Sequence, residues 1–101
     1  MARQSSHDTE MQSERAEAIA IEALGFIASD EARLVQFLRA TGYDPAAIRA
    51  EAGSPFFLAG VLDFLLGDES LLLVFASHGG IDPSRIAAAR RTLARDSENR
   101  D

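Results

Sequence analysis

The sequence predicts an all-α protein, a compact bundle of about six helices built from a duplicated three-helix unit. Three observations carry that prediction. Apolar residues recur at helical spacing from Ser13 onward. Helix junctions carry a glycine followed within a few residues by Asp-Pro or Ser-Pro, as at Gly42/Asp44-Pro45, Gly53/Ser54-Pro55 and Gly80/Asp82-Pro83. The chain also matches itself at an offset of 38.

Taken in order, residues 1–12 lack apolar periodicity and are rich in Ser, Gln, Asp and Glu, so they are expected to form a disordered lead-in. The helical domain is expected over 13–95. In the first helix, which Ser13 can cap, Ala18, Ile19, Ile21, Ala23, Leu24, Phe26 and Ile27 share one broad face, and Glu14, Glu17 and Glu22 lie away from it. It ends near Ser29, and Ser29 or Asp30 can cap the second helix, which runs to Thr41 with a Leu34, Phe37, Leu38 stripe. Asp44 and Pro45 open a short third helix that presents Ile48 inward. The fourth, Pro55 to Leu66, is apolar nearly all round, as is the Leu71–Phe75 run of the fifth, which Asp68 caps and Gly79-Gly80 closes. The sixth, about Pro83 to Arg95, turns Ile86, Ala89 and Leu93 inward, and 96–101 is expected to fray.

The self-match aligns residues 19–52 with 57–90 without a gap, and eleven pairs are identical. Chance at average composition gives roughly two or three. The matched residues are caps, such as Asp30/Asp68 and Gly42/Gly80, and apolar positions, such as Phe37/Phe75 and Ile48/Ile86. A repeat of this kind concerns fold, because caps and inward positions are what a backbone dictates.

Composition narrows the function classes. There is no Cys, which removes disulfides, thiol nucleophiles and thiolate metal sites. His7, alone in the polar lead-in, makes no metal site. No run approaches the ~20 apolar residues of a membrane span, and 1–15 carries no apolar export signal, so a cytoplasmic, non-membrane protein is expected. The net charge of −6 repels phosphate backbones overall. All ten basic residues are Arg, a composition expected of a GC-rich bacterial genome.

Six residues are candidates for an interaction site. Asp63 interrupts an apolar helix; it is expected on a wetted edge or paired with Arg33, Arg39 or Arg90, since an unpaired buried carboxylate is costly. His78 ends the fifth helix, where it can bond free carbonyls. Arg85, Arg90, Arg91 and Arg95 make the last helix basic, while 54–82 contains no Lys or Arg. No aromatic residue interleaves with those arginines, which weakens a base-stacking reading. Asp30-Glu31 and Asp68-Glu69 are read as helix starts, and no catalytic, cofactor or metal residue is assigned.

Ala23-Leu24-Gly25-Phe26, the stretch from Gly60 to Glu69 (Gly-Val-Leu-Asp-Phe-Leu-Leu-Gly-Asp-Glu) and Ile81-Asp82-Pro83 resemble a small bacterial family, a domain of unknown function (family 3572) known mainly from alphaproteobacteria. The resemblance covers about Ala16 to Leu93 and implies no activity or binding residue. Leu24-Gly25-Phe26 with Thr41-Gly42 is also similar, at fold level only, to ubiquitin-associated three-helix domains. The first functional expectation is a non-catalytic protein–protein interaction module. It would use surplus apolar surface of the fourth and fifth helices against itself or another protein. A nucleic-acid accessory role through the Arg85–Arg95 helix ranks second, and an enzyme with Asp63 or His78 in a pocket ranks last.

Overall fold

The computed structural model describes residues 2–98, with side chains from Asp8 onward. It contains α1 (Ala2–Ala28), α2 (Glu31–Thr41), α3 (Pro45–Glu51), α4 (Pro55–Leu66), α5 (Glu69–Gly79) and α6 (Pro83–Glu98), and no strand among the described residues.

The junctions use the predicted chemistry. Asp30, Asp44, Ser54 and Asp68 are N-caps whose side-chain oxygens accept from the backbone N–H three residues on, at 3.0, 2.9, 3.4 and 3.1 Å. Gly42 and Gly80 end α2 and α5 at φ +78° and +64°, the left-handed region that costs a side-chain-bearing residue most.

α4 is the centre of the molecule. Phe57, Leu58, Val61, Leu62 and Leu65 are all buried because α1 and α6 flank this helix and α2 and α5 close over its remaining sides. α1 contributes the stripe Ala16, Ala20, Ala23 and Ile27, and its three alanines allow the close approach of α6. α6 answers with Ile86, Ala89 and Leu93, the inward residues the pattern predicts. Phe37 anchors α2, meeting Phe57 and Phe64 edge-to-face with centroids 6.2 and 5.3 Å apart, an arrangement the ring quadrupoles favour.

Four expectations need correction. α1 does not start at a Ser13 cap but runs back to Ala2. Residues 8–12 are exposed, so this stretch is helical without touching the core. Nothing in it breaks a helix, neither Pro nor Gly, and apolar periodicity cannot report a stretch such as 8–12 that stays in solvent. Met1 lies outside the described residues. α6 likewise continues past Arg95 to Glu98, and 99–101 lies outside the described residues. Ile21 is 54% exposed although it belongs to the apolar set of α1, because the buried stripe is narrower than that set. Finally, α4 and α5 are not equally surplus: α4 spends its apolar surface inside, leaving Phe56 exposed, and α5 exposes Leu73 and Val74.

The cap residues Asp30/Asp68 and Gly42/Gly80 take matching conformations at the 38-residue offset. The packing of the two triplets differs. α6 lies along α4 and α1, whereas α3 buries no residue and leaves Ile48 half-exposed against the core edge.

Candidate functional site

Asp63 is on the wetted edge of α4 and paired at once. Its two carboxylate oxygens accept from Nε and Nη2 of Arg90 on α6, at 2.7 and 3.3 Å. Both side chains stay about half-exposed, so the fork tethers α4 to α6 at the surface. The hydrogen bond to Asp63, then its charge, pushes the Arg90 guanidinium further above its usual range. Arg33 and Arg39, the other proposed partners, do not reach Asp63 among the described ion pairs.

Arg33 works elsewhere. Its guanidinium carbon lies 3.9 Å from the centroid of the Phe26 ring, and Nη1 donates to the Phe26 carbonyl at 2.6 Å. That carbonyl, near the end of α1, has lost its helical partner, so Arg33 closes the α1–α2 corner. Phe26 also meets Phe75 at 5.3 Å and His78 at 6.0 Å.

His78 therefore packs beside an aromatic ring and makes no hydrogen bond to the end of its helix. The carbonyls of Ala76 and Ser77 are already taken by the N–H groups of Ile81 and Gly80. His78 borders a groove of about 480 Å³ with Glu22, Phe26, Ser29 and Gly79. The Ser29 hydroxyl donates to the Phe26 carbonyl at 2.7 Å, so it is engaged in finishing α1.

Two further concavities matter. One is a groove of about 430 Å³ where α1, α2 and α3 meet, with apolar walls from Ile21, Leu24, Ala28, Leu34, Leu38 and Ile48. The other runs between α1 and α6. It has a floor of Ala16, Ala88 and Ala89, with Arg85, Arg91 and Arg95 on one side and Arg15 on the other. Helical rotation accounts for the split of the α6 arginines: Arg90 turns to Asp63 on α4, and Arg91, about 100° further round, faces α1. Arg15 has no motif around it; only the α1–α6 packing, invisible before folding, brings it to the others. No group of three or more His, Cys, Asp or Glu able to hold a metal occurs among the described residues. No described helix is long and apolar enough to cross a membrane.

Residues 13–96 match the model of the family described as Protein of unknown function (DUF3572). The chain belongs to that family. The DUF3572 match opens at Ser13, just before Ala16, where α1 first touches the core, and it contains the Asp63–Arg90 fork, His78 and all four arginines of the α1–α6 groove. No curated protein and no solved structure matches the chain.

Proposed function

We propose that this DUF3572 chain is a non-catalytic helical module that docks a partner protein, and that the docking surface is the apolar groove between α1, α2 and α3. The observation that carries the reading is that groove's lining. Ile21, Leu24 and Ala28 stand at successive turns of α1 opposite Leu34 and Leu38 of α2. Ile21 is held more than half in solvent at the rim. Such a trough accepts the apolar face of an amphipathic helix, whose anchors repeat every three or four residues. A docked helix would bury what α3, too short to cover the trough, leaves open. The non-catalytic part of the reading is supported by the state of the two residues best suited to proton transfer. Asp63 is exposed and forked to Arg90, and His78 packs on Phe26.

Ile21→Gln tests it. The substitution removes an exposed apolar group and leaves the core untouched. A protein recovered from a lysate of the source organism by the wild-type chain should be lost with Ile21→Gln; recovery of the same protein at the same level by both chains overturns the assignment. Sedimentation at micromolar concentration shows whether the occupant is a second copy: a dimer that Ile21→Gln dissociates places another copy in the trough.

A further inference from the structure

The arginine-lined groove between α1 and α6 lies on a different pair of helices from the apolar trough and stands independently of it. We infer that it is a binding site for a short acidic segment of a partner protein, held by Arg15, Arg91 and Arg95 with Arg85 at its end.

The argument begins with charge. The chain carries −6 in all, yet four guanidinium groups from two helices line one concavity of about 340 Å³. None of the four forms an ion pair among the described residues, whereas Arg33 and Arg90 both do. Two acids stand near the Arg85 end. Asp82 lies one helical turn before Arg85 and feels its charge. Glu22 borders the next hollow along, and its carboxylate reaches toward Gly79. The Arg91–Arg95 end has no acid in its lining. A guanidinium fork matches a carboxylate in two parallel hydrogen bonds, so unpaired arginines facing one trench form a receptor for more than one carboxylate.

Shape and length select the occupant. Arg85 and Arg95 are separated by roughly 15 Å along the helix axis, the span of a few extended residues. The alanine floor leaves the trench narrow and offers no ring on which a nucleobase could stack. A long nucleic acid would also meet the acidic remainder of the surface, while a short acidic peptide meets only the local field.

The test is fluorescence anisotropy of a labelled peptide of alternating Asp and Gly, with labelled oligothymidylate as the comparison at the same ionic strength. The wild-type chain should bind the peptide, more weakly as salt rises. Arg91→Gln/Arg95→Gln should weaken binding roughly tenfold, the sum of two exposed charge pairs. Arg15→Gln should weaken it as well, although it lies on another helix. Arg90→Gln also removes one positive charge from α6, but Arg90 faces Asp63, so the affinity should stay nearly unchanged. Absence of peptide binding, an equal loss with Arg90→Gln, or tighter binding of oligothymidylate than of peptide would each overturn the inference. Ile21→Gln should leave peptide binding intact, so failure here and failure of the docking trough are distinguishable.

Discussion

Asp63 and Arg90, 27 residues apart in sequence, form a two-pronged contact that fastens the last turn of α4 to the middle of α6. The fork sits at the surface, where water and salt screen it, so its value is modest despite good geometry. Asp63→Asn is expected to lower stability by about 0.5 kcal/mol at low salt and by less at high salt. A double-mutant cycle with Arg90→Gln, read by urea denaturation, measures the pair. A coupling above about 2 kcal/mol would show that the pair is shielded from solvent in a way its exposure contradicts.

Neighbouring residues on α1 should behave oppositely. Ala20 is fully buried against the central helices, and Ile21 is half in solvent. Ala20→Leu forces α1 and α6 apart and should cost about 1–3 kcal/mol, whereas Ile21→Gln should change stability by no more than about 0.5 kcal/mol. Urea midpoints of the two variants check the order.

Glycine substitutions separate backbone strain from crowding. A methyl group at Gly42 or Gly80 would meet nothing within 4 Å, so the only cost of Gly→Ala there is the left-handed backbone, about 1–2 kcal/mol. Gly25 has equally open surroundings but lies inside α1 without a positive φ. Gly25→Ala should therefore stabilise the fold, by about 0.5–1 kcal/mol. Thermal unfolding followed by circular dichroism gives the sign in each case.

Asp82 supplies a pH signature. The hydroxyl and then the backbone N–H of Ser84 donate to its carboxylate, at 2.7 and 2.8 Å, and hold its pKa below the ordinary 3.8. A carboxylate depressed in the folded state contributes stability that is present above the unfolded value and lost as pH falls through the folded one. Ser84→Ala should thus lower the melting temperature at pH 6, and the difference should shrink below about pH 4. A difference that persists unchanged at pH 2 would mean that the hydroxyl acts independently of the Asp82 charge.

The parts of this fold written locally were legible in the sequence. Asp30, Asp44, Ser54 and Asp68 announce helix starts because capping needs only a short polar side chain and the next turn. The helical stretch 8–12 of α1 was not legible, since residues that stay in solvent need no apolar period. The site divides in the same way. Arg90 could be named as one candidate partner of Asp63, but choosing it over Arg33 and Arg39 required the α4–α6 contact. Arg15 could not be found, because its relation to Arg91 and Arg95 exists only across two packed helices. His78 is legible as a helix-end residue, but its packing on Phe26 exists only once α1 and α5 meet.

The enclosure of α4 has a consequence for how the chain breathes. Amide protons from Leu58 to Leu65 should trade for deuterium only when the whole molecule opens, while those of α3, which anchors nothing inside, should trade early through its own unwinding. A tether of arginine and aspartate at the periphery cannot alter that ranking. The axle governs the slowest motion, and the short outer helix opens well before it.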